Sequence, residues 1–270
     1  MAAALLVGGC DQAGAIDAPV QVPAPAPAPS PSPAPVPSPS PTPSPIATPR
    51  APGCTAANAV TNASSLVLTP RAGSIGIVAI GSSSTAGFLA SSPAASYPSV
   101  LQSLLAARTD LATFVVHNQG RNGDTLAGTQ ARLQEDALRL QPQLVILQAG
   151  TNDANAGQND AALADYAQRL ELVVAQLKRT GAVVLMTSQH FPNEPAILRR
   201  YQDAMAEVAV RQNVPLFDRH KLMKHWIDAG IYGYSDILAG DRFHPNDLTY
   251  RCMADVMADL IVSRTTKPAG

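Results

Sequence analysis

Ile75-Gly76-Ile77-Val78-Ala79-Ile80-Gly81-Ser82-Ser83-Ser84-Thr85-Ala86-Gly87 is the stretch on which the fold turns. Positions 75–80 are apolar almost throughout rather than alternately, so they read as a parallel strand buried on both faces. The run stops abruptly in glycine and hydroxyl residues. That puts a turn at the carboxyl edge of the sheet, where open α/β sheets hold their ligands. Ser83, brought to that edge with glycines on either side, is read as a nucleophile, although on its own it is more simply a helix N-cap.

Outward from this strand, one rhythm repeats. Val100, Leu101, Leu104 and Leu105 fall on one face of a helix over 97–108, and Phe114-Val115-Val116 marks a strand over 113–118. A helix then runs to about 140, where Pro142 stops it. Further strands are expected over 144–147, 182–188 and 214–218, separated by helices that start at Asn159 or Asp160 and over 195–212. The first of these helices has its apolar face at Leu163, Tyr166, Leu170, Val174 and Leu177, and Gly181 is read as its C-terminal cap. A last helix is expected over 247–262. Strand and helix in alternation predict a five-stranded parallel sheet with right-handed crossovers.

Three more loops at strand ends or before a helix carry polar residues that acyl transfer needs. They are Asn118-Gln119-Gly120-Arg121-Asn122-Gly123-Asp124-Thr125, Gly150-Thr151-Asn152-Asp153 and Asp241-Arg242-Phe243-His244-Pro245. Pro245 keeps the residue before it out of the helix, so Asp241 and His244 lie on a loop, where a turn lets the carboxylate fix the imidazole tautomer. A serine nucleophile requires such a base, and the oxyanion requires fixed donors.

These four blocks resemble the SGNH hydrolases, also called the GDSL esterase and lipase family, over about 75–260. In that family the first block is Gly-Asp-Ser, so Ser83 falls on the nucleophile, while Ser82 stands where the family has Asp. Asn118, Gly120, Gly123 and Thr125 match the second block, Gly150, Asn152 and Asp153 the third, and Asp241, His244 and Pro245 the last. The resemblance implies a flavodoxin-like three-layer α/β sandwich with a triad of Ser83, Asp241 and His244. It implies an oxyanion hole made of the Ser83 and Gly123 N–H groups and the Asn152 amide, with no cofactor. The implied activity is hydrolysis of short-chain acyl or acetyl esters, those on a glycan included, through an acyl-enzyme. Acyl transfer to a sugar or alcohol, or a non-catalytic envelope-binding role on the same fold, are the alternatives.

Ahead of this body, more than half of the 24 prolines lie between Pro19 and Pro52 in Ala-Pro and Ser-Pro units. Residues 18–53 therefore read as an extended linker reaching on the order of 100 Å, with the hydrolase domain over 54–270. Residues 1–17 begin apolar, and Val7-Gly8-Gly9-Cys10 resembles the bacterial lipobox, with lipid on Cys10; a plain disordered terminus is the alternative. The expected address is the cell envelope, periplasm-facing, with the chain lipid-anchored or secreted and no transmembrane helix. Cys54 and Cys252 remain for a disulfide between the start of the body and its last helix.

Net charge is −1 with no basic patch, which excludes nucleic acid as a partner. A monomer acting on a small ester or an acylated glycan is expected. With only 4% aromatic and 14% charged residues, the core is built from Ala, Val, Leu and Ile. His190, after the fourth strand, is expected at the rim of the site as a substrate contact, and His117, His220 and His225 as structural or surface residues. No Cys/His cluster has metal-ligand spacing, and no metal is expected.

Overall fold

The computed structural model describes residues 50–267. Six strands form one sheet: β1 (Val60–Thr61), β2 (Ser74–Gly81), β3 (Thr113–Gly120), β4 (Leu144–Gln148), β5 (Ala182–Met186) and β6 (Leu216–Phe217). Their order is β1-β6-β5-β4-β2-β3. The five expected strands are all parallel, and β1 adds a sixth that pairs antiparallel with β6. A strand of two residues leaves no periodicity to read, which is why it escapes a reading from pattern alone.

Ile77, Val78, Ala79 and Ile80 are fully buried, as are Leu144, Val145, Ile146 and Leu147, with which they pair in register. Both faces of this sheet centre are covered by helices. On one side α1 (Tyr97–Ala106) packs against the last helix, and on the other a long helix packs against the helix that precedes β6. Between them lie α2 (Leu126–Ala131) and α3 (Thr151–Ala156), followed by α4 (Asp160–Leu177), α5 (Leu198–Arg211), α6 (Arg219–Asp228) and α7 (Asp247–Arg264). Because β2 connects outward to β3 while β4 connects the other way to β5, the sheet reverses direction between β2 and β4. In a doubly wound sheet, ligands bind at this reversal.

Local departures have local causes. The helix expected to run to 140 breaks at Arg132, whose backbone leaves the helical region, and continues only as short turns over Leu133–Asp136 and Leu138–Leu140. α4 starts on an Asn159 cap that accepts from the Ala162 N–H, but it ends at Lys178 rather than at Gly181. At Gly181 a Cβ would lie 2.5 Å from the Pro142 carbonyl, so glycine there permits close approach rather than capping.

Residues 50–53, assigned to the linker from composition, lie against the body. Arg50 makes a bidentate pair with Asp259 in α7, Ala51 is buried, and the Pro52 carbonyl accepts from the Trp226 indole at 2.8 Å. Cys54 and Cys252 form a disulfide that joins this opening segment to α7. Cys10 and the remainder of the linker fall outside the described residues. Among the described residues, no helix is long and apolar enough to cross a membrane.

Candidate active site

β2 ends at Gly81 and the chain turns directly into a one-turn helix, Ser83–Ala86. The turn fits only because two glycines let backbones touch. A Cβ on Gly81 would lie 2.6 Å from the Gln148 carbonyl, and one on Gly120 would lie 2.0 Å from the Ala86 nitrogen. Ser83 opens the helix, so its N–H has no acceptor within the helix.

The hydroxyls of the serine run go three separate ways. Ser82 donates to the Gln148 side-chain oxygen at 2.9 Å, and its N–H reaches the same oxygen at 2.9 Å. Ser84 donates to the Gln189 side-chain oxygen at 3.4 Å. Ser83 Oγ meets His244 Nε2 at 2.9 Å, and Nδ1 of that ring meets Asp241 Oδ2 at 2.5 Å. Only the middle serine is thus placed beside a base.

The base loop is held by its own backbone. Arg242 adopts φ 57°, a left-handed conformation that bends Asp241 back toward His244. Ala239 N–H donates to the His244 carbonyl at 2.8 Å, and Asn246 caps α7 through the Thr249 N–H. Burial alone pushes the Asp241 carboxyl up, but hydrogen bonds from the His244 ring and from the N–H groups of His244 and Phe243 outweigh it, and the carboxyl lies below its ordinary value.

The two remaining oxyanion donors expected from the sequence come from adjoining points. Gly123 sits in a left-handed turn at φ 75°. The Asn152 amide donates to the carbonyl of the next residue, Asp124, at 2.8 Å, which leaves its second N–H for a ligand. Asp153 fastens the two loops together: one carboxylate oxygen accepts from the Leu126 N–H at 2.9 Å and the other from the Gly150 N–H at 3.1 Å. Burial pushes the Asp153 carboxyl upward, with those two backbone donors opposing it.

Three supporting residues carry no signal in the motifs. Arg132, buried at 8% exposure, donates to the carbonyls of Gly81 and Gln119 and pairs with Asp124 and Asp136. Gln148 ends β4 directly after a buried apolar run and Gln189 lies three residues beyond the end of β5, and that placement is the sequence cue that could have singled them out. Gln189 also accepts from Arg219 at 3.1 Å and donates to the Phe243 carbonyl at 3.3 Å, linking the serine turn to the base loop. Arg219 is fully buried among these groups, and burial brings its guanidinium down to about 10.

His190 is placed differently from the expectation. It is buried, with Nδ1 3.2 Å from Glu194 and Nε2 2.9 Å from the Tyr234 hydroxyl, so neither ring nitrogen is directed at the triad. His220 shares the same Glu194 carboxylate. Burial pushes that carboxyl up, but the hydrogen bonds and charge of the two histidines outweigh it and take it down to about 2. His190, Glu194 and His220 are the one group among the described residues arranged so that a metal ion can be held. The spacing 190, 194, 220 hides it, because the fold rather than the chain brings His220 in.

Two large apolar side chains are exposed beside the base. Phe88, 40% exposed, stands edge-on to His244 with ring centroids 4.7 Å apart, and Leu89 beside it is exposed in a left-handed conformation.

Similar structures share this architecture. A lipase/acylhydrolase from Enterococcus faecalis is 25% identical, covering 73% of this chain and all of its own, with a TM-score of 0.61. A variant of an acetyl xylan esterase from Geobacillus stearothermophilus is 24% identical over 69% of this chain and 94% of its own, with a TM-score of 0.57. A two-domain esterase active on acetylated mannans is 21% identical over 79% of this chain and 59% of its own, at 0.61. No curated protein matches the chain. The model of the Non-GDSL lipase-like family matches residues 54–267, in keeping with Ser82 where a GDSL motif has Asp. With the match spanning the whole described body from Cys54 onward, the chain belongs to the Non-GDSL lipase-like family.

Proposed function

We propose that the protein is a serine esterase that cleaves short-chain acyl or acetyl esters, those on a glycan included, at the cell envelope. The observation that carries this reading is the continuous relay from Ser83 Oγ to His244 to Asp241, at 2.9 and 2.5 Å. Ser83 Oγ attacks the acyl carbon while His244 Nε2 takes its proton, and Asp241 holds the imidazole tautomer and stabilises the imidazolium. The tetrahedral oxyanion is received by the N–H groups of Ser83 and Gly123 and by the free N–H of Asn152. His244 then returns the proton to the leaving alcohol, and water, activated by the same ring, releases the acyl group.

The exposed Phe88 beside His244 offers an apolar surface to a small acyl group or a sugar ring. The similar structures described as an acylhydrolase and as acetylated-glycan esterases favour hydrolysis over transfer. Envelope placement rests on the lipobox-like Val7-Gly8-Gly9-Cys10 and the proline-rich stretch after it. Ser83→Ala should abolish p-nitrophenyl acetate hydrolysis and fluorophosphonate labelling, while Ser82→Ala and Ser84→Ala keep both. Unchanged hydrolysis in Ser83→Ala refutes the assignment.

A further inference from the structure

We propose that His190, Glu194 and His220 form a zinc site, separate from the triad and independent of the esterase reading. The donors come from two elements. His190 and Glu194 lie on the loop after β5, where Asn193 at φ 59° turns the chain so that the Glu194 carboxylate comes back onto His190. Asparagine tolerates that left-handed conformation better than most residues. His220 is the second residue of α6 and points Nε2 at the same carboxylate, 3.0 Å from each oxygen.

The ligand atoms of the three residues all lie within 4.8 Å of one another. Zinc bonds of about 2.0–2.1 Å in a tetrahedron set neighbouring donors about 3.3 Å apart. The observed separations of 3.2 Å at His190 and 3.0 Å at His220 need to open by only a few tenths of an ångström. Two imidazoles and one carboxylate are a donor set that zinc takes with a fourth position left for water. The approach is free on one side, since the Glu194 side chain is 27% exposed while the two histidines are nearly covered.

Tyr234 supplies the outer support that a metal-bound histidine needs. Its hydroxyl lies 2.9 Å from His190 Nε2. In the empty site the hydroxyl donates to Nε2 and Nδ1–H donates to Glu194. With metal on Nδ1 the proton sits on Nε2, and the same hydroxyl accepts it. A tyrosine serves both tautomers without moving. The neighbouring cation Lys224 is paired with Asp228 at 2.8 Å, so it does not compete for Glu194.

The test uses the full chain, stripped with EDTA and desalted. Zinc uptake is read by elemental analysis and Co²⁺ uptake by visible d–d absorption, with no reference to ester hydrolysis. About one equivalent per chain is expected, with the intense bands of a tetrahedral site. Glu194→Gln should abolish uptake, and Tyr234→Phe, which keeps all three ligands, should weaken it roughly 10-fold. His244→Ala should bind as the wild type does, separating this site from the triad. Circular dichroism checks that each variant is folded, and Tyr234→Phe remains informative if Glu194→Gln is not. The proposal is overturned if the stripped wild type takes up no metal, if folded Glu194→Gln binds normally, or if His244→Ala removes binding.

Discussion

Arg132 and Asp124 form a buried ion pair, 2.7 Å apart, and the same guanidinium reaches the Gly81 carbonyl at 3.0 Å. One side chain therefore fixes the loop bearing Gly123 relative to the strand end bearing Ser83. Arg132→Met should leave the largely covered Asp124 without its cation, while Asp136 keeps Arg121 at 2.8 Å, and should destabilise the protein by about 3 kcal/mol, measured by urea unfolding. Its kcat should fall roughly 10- to 100-fold with KM little changed, because the loss is one of alignment. Arg132→Lys should rescue little, since an ammonium cannot serve two carboxylates and two carbonyls in a plane.

Asn152→Ala removes the clasp on the Asp124 carbonyl together with the amide proposed as an oxyanion donor. Turnover should drop on the order of 100- to 1000-fold. Steady-state kinetics on p-nitrophenyl acetate check this, and a wild-type kcat in the folded variant would remove Asn152 from the oxyanion site.

Gly120 and Gly123 should answer differently to alanine. At Gly120 the new Cβ meets backbone atoms of the serine turn at 2.0 and 2.5 Å, so Ser83 must shift; stability should fall by roughly 1–3 kcal/mol and activity should fall with it. At Gly123 no atom lies within 4 Å, and only the left-handed φ opposes the substitution, at about 1 kcal/mol. Thermal melts and kinetics of the two variants side by side distinguish collision from backbone strain.

Asp241 sets a sign for acid sensitivity. Its folded carboxyl lies below the ordinary value, so its stabilising contribution is complete above the unfolded pKa of roughly 4 and is lost as pH falls through the lower folded value. Asp241→Asn should flatten that part of the stability curve, read by unfolding at a series of acidic pH values. Through the mildly acidic range Asp241 stays ionised, so protonation of Asp241 does not set the acidic limb of the wild-type kcat/KM profile.

The sheet and the residues gathered at its edge were legible from sequence because each is local: an apolar run followed by glycine and polar residues marks a buried strand and its exit. The same logic placed Ser83, Asp241 and His244 at turns that the fold brings into contact, and Gly123 and Asn152 on two loops that meet at the Asp124 carbonyl. What stayed hidden depends on contacts across the chain. Arg132 looks like one more helical cation until Gly81, 51 residues earlier, lies over it. Glu194 looks like a solvated acid until α6 delivers His220, and β1 is too short to show a pattern. The spacing of the first block already singled out Ser83, but the glutamine partners that turn Ser82 and Ser84 away come from other strand ends and are not in that spacing.

The clasp at the start of the body also decides where mechanical load travels. Arg50 is fastened to α7 by its pair with Asp259 and, four residues on, Cys54 is fastened to it by the bond to Cys252. Both links precede β2 in the chain, so tension entering from that side is shared with α7 before it reaches β2. The serine turn and the Asn152 loop come later still, so a pull from the amino-terminal side meets the Cys54–Cys252 bond before it reaches them.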